Sequence, residues 1–167
     1  MTEAKNLWRG EGKKNLITSV LRLTAMKPRE MSGEECEDLL AKSMFGRLGL
    51  SEGGQPYVVP MSYVYAGGVI LLHSGLRGRK LEMAKENPRA AFEVDFVEKG
   101  RWKSVIVFGK VRLSTDAEAK KKLFDIFTKS EMGGHGGKRF SREEMEKMPM
   151  VIWEIEIEEM TGREGVW

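Results

Sequence analysis

Apolar and polar positions alternate with a period of two through the middle of this chain. From Phe45 to Ser74 it reads FGRLGLSEGGQPYVVPMSYVYAGGVILLHS. Runs rich in β-branched and aromatic residues are parted there by EGGQP and AGG, which predicts three strands joined by two tight turns. Loops that short force neighbouring strands to pair antiparallel. RAAFEVD at 89–95 and KSVIVFGKVRLS at 103–114 predict two more strands. WEIEIEE at 153–159 alternates apolar with acidic residues, the pattern of a strand with one face in water. Pro60 cannot donate a ladder hydrogen bond, so YVVPMSYVY is expected to be an edge strand or to be interrupted there. Either way, backbone groups are left for a flat ligand with amide-like edges.

Helical spacing fills the gaps. Ser32 and Glu35 in SGEE form a capping box ahead of Cys36, Leu39 and Leu40, which share one face of a helix ending near Ser43. TDAE at 115–118 opens a second helix with Leu123, Phe124, Ile126 and Phe127 inward, and SREE at 141–144 opens a third. Leu16, Ile17, Val20, Leu21 and Leu23 predict a short amphipathic helix over 15–26. The expected fold is mainly β: about six antiparallel strands in a small closed or partly open barrel, with peripheral helices. Helices do not alternate with strands through 45–75, which argues against parallel βαβ wrapping. No repeat or long linker divides the chain, so the expected organisation is a basic arm over 1–28 and one domain over 29–167.

Charge changes this picture in one place. Hydrophobic content of 41% and charged content of 32% are those of an ordinary globular protein, and the net charge is only +3. Residues 1–30 hold seven cations against three acids, so this segment carries +4 and the remaining 137 residues sum to −1. The arm lacks a dense basic run with interleaved aromatics, which favours a solvated helix or strap over a nucleic-acid contact. One cysteine, Cys36, excludes an internal disulfide and fits a reducing, cytoplasmic setting. With only His73 and His135 beside it, a structural zinc site is not expected. No apolar run approaches the roughly 20 residues that cross a bilayer. LITSVLRLTAM follows Lys13 and Lys14 in the outline of a signal peptide, but Arg22 interrupts it and no small-x-small site follows.

The stretch HSGLRGRKLEMAKENPR, from His73 to Arg89, carries the chemistry. It reads as a strand end, a glycine loop and a helix whose start holds Arg77, Arg79 and Lys80. A helix start is the positive end of the macrodipole and favours acids. Either these cations point into water or an anion sits among them. Ser74 offers a hydroxyl, Arg79 a two-pronged guanidinium, Lys80 a compact charge and the helix its N–H groups, a set that suits a terminal phosphate. GGHGGKR at 133–139 has parts of a phosphate loop, but Met132 stands where its first glycine belongs and Arg139 where Ser or Thr belongs. No GxGxxG follows a strand and no Gly-x-Ser-x-Gly elbow occurs.

Four ordered segments carry a family resemblance: GQPYVVPMSYVY at 54–65, ILLHSGLRGRKLEMAKENPRAAFEVD at 70–95, SVIVFGKVRLST at 104–115 and IEIEEMTGREG at 155–165. Together they resemble the flavin-binding split-barrel superfamily of pyridoxamine phosphate oxidase, over roughly residues 29–165. The resemblance is nearest to the nitroimidazole-resistance (Nim-type) branch. It implies a six-stranded antiparallel split β-barrel that forms a homodimer and binds FMN at the subunit interface. It places Val59, Pro60, Met61 and Ser62 along the flavin ring, His73 and Ser74 near the cofactor, Arg79 and Lys80 on its phosphate, and Ser104 as a further contact. His73 is the candidate proton donor, on its location and accessible pKa.

The implied activity is an FMN-dependent oxidoreductase. It would take electrons from a small donor and pass them to a small acceptor such as a nitroaromatic, without nucleic-acid or membrane partners. The alternatives are a non-catalytic flavin- or haem-binding or storage protein, or a deazaflavin-dependent reductase. Val59 and Val64 stand where the oxidase proper has arginine and lysine, and its C-terminal Arg-and-His motif has no match in MTGREGVW. These departures argue against vitamin B6 oxidation.

Overall fold

A computed structural model describes residues 27–129 and 141–167. The predicted helix over 15–26, nearly all of the basic arm and the 133–139 glycine segment lie outside these residues. Within them the order is β1 (Arg29–Glu30), α1 (Gly33–Lys42), β2 (Phe45–Glu52), β3 (Gln55–Ser62), β4 (Val64–Ala66), β5 (Val69–Ser74), α2 (Arg79–Glu86), β6 (Arg89–Glu98), β7 (Arg101–Ser114), α3 (Ala117–Lys129), α4 (Arg142–Lys147) and β8 (Val151–Val166).

The strands form one antiparallel sheet in the order β3-β2-β6-β7-β8-β5-β4, with β1 added beside β8. The two ends of that order, β3 and β4, are consecutive in the chain and do not pair with each other. The barrel is therefore split, with one bent strand forming both lips. Counting β3 and β4 as that one strand, the six expected strands are all present, and β1 is an addition.

The break in this strand falls at Tyr63, three residues past Pro60. The Tyr63 amide donates to the Met44 carbonyl at 3.2 Å, and its hydroxyl donates to the Leu40 carbonyl at 2.7 Å. Its ring stands edge-on to Phe92, with centroids 4.9 Å apart. A residue held at three points, one by its main chain and two by its large side chain, determines the corner. Burial also pushes its phenol pKa up. Pro60 sits, as its missing N–H requires, on a strand paired along one edge only.

Alternate residues of each strand fill the barrel. Leu48, Leu50, Phe92, Val94, Val105, Val107, Trp153 and Ile155 form its centre, with Leu39 and Leu40 from α1 and Leu81 and Met83 from α2. The opposite residues of β4, β5 and β8, among them Val64, Leu71 and Ile152, form a second cluster under Leu123 of α3. Ile126 joins that cluster, whereas Phe127, expected inward, is exposed.

Ser32 and Glu35 form the expected capping box, and so do Ser141 and Glu144. The middle helix differs. Asp116, not Thr115, accepts the Ala119 amide at 2.8 Å, and Ser114 accepts the Asp116 amide at 3.1 Å. A carboxylate one residue on is the stronger acceptor for the first turn. The last strand runs far beyond 153–159 because β7 continues beside it, through a bulge at Phe108/Gly109. A Cβ on Gly109 would lie 2.0 Å from the Glu156 carbonyl oxygen, so the close pairing at the bulge requires glycine.

Candidate functional site

The 75–78 loop carries the chain from the end of β5 to α2. Gly78 takes φ +134°, a conformation that L side chains rarely adopt, and stands as N-cap with no side-chain cap. The Leu81 and Glu82 amides already turn back to the Gly78 carbonyl, at 3.0 and 3.3 Å. The leading amides of α2 are thus left facing out beside three cations. Among the described residues, none of Arg77, Arg79 and Lys80 has an acid partner. The Arg79 guanidinium lies 5.9 Å from the ring centroid of Tyr57 on β3, a cation–π contact that steers it over the lip of the split barrel. Sequence reasoning missed Tyr57. It lies 22 positions from Arg79, and its aromatic ring had the ordinary look of a strand residue.

β3 lines the split and pairs on one side only, with β2. Its side chains divide by parity. Tyr57, Val59 and Met61 are half-buried and turn to the barrel, whereas Val58, Pro60 and Ser62 are exposed on the other face. The same rule separates His73 from Ser74. Ser74 is buried on the barrel side, where its hydroxyl donates to the Gly75 carbonyl at 3.0 Å and accepts the Trp153 indole N–H at 2.9 Å. Its one proton is thus used within the chain. His73 is on the side of α3, next to Leu71, and desolvation lowers its pKa from the ordinary 6.5. No hydrogen bond or ion pair joins it to another described residue.

Ser104 belongs to a different group. It projects from β7 onto the outer face of the sheet, where its hydroxyl donates to Glu93 Oε1 at 3.0 Å. Glu93 lies 3.4 Å from the Arg47 guanidinium, which also pairs with Asp95 and has its pKa raised by it. Around these charges the face is apolar: Val58 is 67% exposed, Phe45 63%, Phe108 44% and Ile106 37%. The registers align Ser62, Phe45, Asp95 and Ser104 across β3, β2, β6 and β7. Three strand spacings put Ser104 about 14 Å from Ser62. One chain therefore holds two separate groups. The first comprises the cationic loop, Tyr57 and the β3 edge; the second is Ser104 with its charged neighbours.

The donor set of the first group fits a phosphorylated flat ring. It has unpaired cations and uncapped amides for the phosphate, and an unladdered strand edge for the ring. Among the described residues no group of three or more His, Cys, Asp or Glu side chains could hold a metal ion. No described helix is long and apolar enough to cross a membrane.

Comparison with known proteins agrees with this architecture. The sequence profile of pyridoxamine 5′-phosphate oxidase matches residues 32–164. The chain is 34% identical over 83 residues to the protein RA0666 of Rhizobium meliloti (strain 1021). That match spans 49% of this chain and 54% of the relative, so about half of each is compared. The crystal structure of an FAD-binding protein from Mesorhizobium loti superposes with a TM-score of 0.67 at 31% identity, covering 84% of this chain and 99% of that one. A candidate 5-nitroimidazole antibiotic resistance protein from Bacteroides thetaiotaomicron VPI-5482 gives a TM-score of 0.71 at 25% identity, covering 83% and 88%.

Proposed function

The chain belongs to the pyridoxamine 5′-phosphate oxidase family, and from that premise we propose that it is an FMN-dependent oxidoreductase that reduces a small acceptor. The observation that carries this reading is the uncapped start of α2. It joins Arg77, Arg79 and Lys80, none with an acid among the described residues, to the Tyr57 ring at the barrel lip. Arg79 and Lys80 hold the phosphate, with the α2 amides behind them. Val59, Pro60, Met61 and Ser62 present the β3 edge to the ring. Bound flavin supplies the redox chemistry, and the chain supplies orientation, water exclusion and charge. The Mesorhizobium loti relative is an FAD-binding protein, so FMN and FAD are the two forms to separate.

The same reading makes the working unit a homodimer. Within one chain Ser104 stands about 14 Å along the sheet from Ser62 on the β3 edge, and the apolar residues Val58, Phe45, Phe108 and Ile106 around it make a surface to be covered. In this reading a second copy covers that surface and supplies Ser104 to the flavin held at the loop of the other. The acceptor class follows the nitroimidazole-resistance relative: a small, electron-poor aromatic. His73 remains the proposed proton donor. Desolvation lowers its pKa from the ordinary 6.5, which favours the neutral ring with its single N–H.

The first test is the visible spectrum of the purified protein, followed by release of the chromophore and its mass. Flavin bands with the mass of FMN support the reading, and FAD mass corrects the cofactor. A colourless protein that takes up neither overturns it. Reduction of the bound flavin by a nicotinamide nucleotide, then reoxidation by a nitroaromatic, separates an enzyme from a storage protein.

A further inference from the structure

The Ser104 hydroxyl has one proton and two lone pairs to offer. Its proton is spent on Glu93 Oε1, 3.0 Å away. Glu93 in turn lies against Arg47 at 3.4 Å, and Arg47 is anchored on its other side by Asp95. The three residues come from neighbouring strands, β7, β6 and β2, whose pairing places Ser104 opposite Asp95 and Glu93 opposite Arg47. The cluster therefore has a fixed direction. Cation holds carboxylate, carboxylate holds hydroxyl proton, and only lone pairs are left for a ligand. We infer that Glu93 and Arg47 are positioning residues that make Ser104 an acceptor-only contact, selecting a cofactor edge that presents an N–H and rejecting one that presents a carbonyl.

This inference rests on the flavin reading and names what one part of that site recognises. The pyrimidine end of a flavin carries a single imide N–H between two carbonyls. A hydroxyl free to rotate could donate to either carbonyl or accept from the N–H, and would fix no orientation. A hydroxyl locked as acceptor meets favourably only the imide N–H, because a carbonyl there would face lone pairs. The ring is then held in one lateral position by a group on the partner copy, independently of the phosphate. A haem edge offers no such N–H, so the same cluster discriminates between the two cofactor classes.

The experiment compares FMN with 3-methyl-FMN, which differs by loss of that N–H, in dissociation constants measured by flavin fluorescence on the full-length protein. Wild type should bind FMN about tenfold more tightly than the methylated analogue, the size of one well-placed hydrogen bond to a charge-linked acceptor. Ser104→Ala should bring the ratio to about one- to twofold. Glu93→Gln should do nearly the same, because a carboxamide can donate to Ser104 and release its proton. A general loosening of the fold would weaken both ligands together and leave the ratio standing. Equal binding of the two flavins by wild type overturns the inference while the flavin reading stands. Full discrimination retained in Glu93→Gln removes Glu93 and Arg47 from the role. Should Glu93→Gln fail to fold, the wild-type and Ser104→Ala ratios decide, with an unchanged ratio in Ser104→Ala counting against. Failure of wild type to bind any flavin overturns the functional reading and this inference with it.

Discussion

Arg112 and Lys122 lie against Glu154, and Arg112 also reaches Glu156; Arg89 and Lys110 share Glu158. A short way along the same sheet, in the loop after β5 and the first turn of α2, Arg77, Arg79 and Lys80 have no acid partner among the described residues. Both groups are surface cations at modest density, and composition treats them alike. The first sits opposite an acidic strand that a neighbouring strand must face, so each charge is neutralised where it stands. The second is gathered at a helix start, where its own dipole disfavours it. An arrangement that opposes folding locally persists where something outside the chain balances it, which is why the loop reads as a binding site and the β7–β8 ladder as part of the frame.

The largest way to break this contrast is to remove cations from each region. Arg79→Ala with Lys80→Ala should weaken FMN binding about 10²- to 10⁴-fold, two charge-assisted phosphate contacts, with the melting temperature of the apoprotein nearly unchanged. Arg112→Ala with Lys122→Ala should do the reverse, leaving FMN affinity intact and lowering stability by about 1–3 kcal/mol, since Glu154, only 14% exposed, then loses both of its cations. Titration and thermal melts on the two double variants check this together. Equal losses of FMN affinity would erase the distinction.

Next in size is the surface between copies. On the proposed dimer, Phe108→Asp should shift the protein to monomer in size-exclusion chromatography with light scattering and weaken FMN binding at least about tenfold, through loss of the proposed Ser104 contact from a second chain. A monomer that binds FMN as tightly as before would confine the site to one chain. Tyr57→Ala should weaken FMN a few-fold by releasing Arg79 from its ring, a contact of about 0.5–1 kcal/mol.

The smallest effect belongs to the frame and is read by pH. Arg29 bridges Glu35 and Glu164 where β1 meets α1 and β8, and Lys103 joins Glu164. The guanidinium holds the Glu35 carboxyl down at about 2 and lowers Glu164 as well. A carboxylate whose folded pKa is depressed adds stability above its unfolded value near 4.5 and loses it as pH falls toward 2. Thermal melts between pH 5 and 2.5 should therefore fall more steeply for wild type than for Glu35→Gln. Parallel curves would show that this exposed network contributes nothing measurable.

Much of the fold was legible along the chain. The strands around the two glycine turns and the SGEE and SREE caps stand where the pattern put them, and Pro60 lies on an edge strand. Each of these is decided within a few residues, by pleat alternation, by missing or available N–H groups, or by a carboxylate in reach of a helix start. The first-turn cap at Asp116 escaped because three candidate acceptors stand in a row from Ser114, and only backbone geometry selects among them. The end of the last strand escaped because its length is set by β7, which runs beside it.

For the site, the sequence by itself determined that three cations open a helix after a glycine loop, and the strand residues beside it carried the likeness to a flavin-binding family. That information is local: neighbouring positions, their charges and the dipole they oppose. Only the tertiary structure decided which side chains meet. It turned Ser74 inward to Trp153 and His73 outward to α3, brought Tyr57 under Arg79, and set Ser104 among Glu93, Arg47 and Asp95 on the far face. Strand order and register fix those meetings, and they follow from how the whole hydrophobic surface is buried at once, which no short stretch of sequence contains.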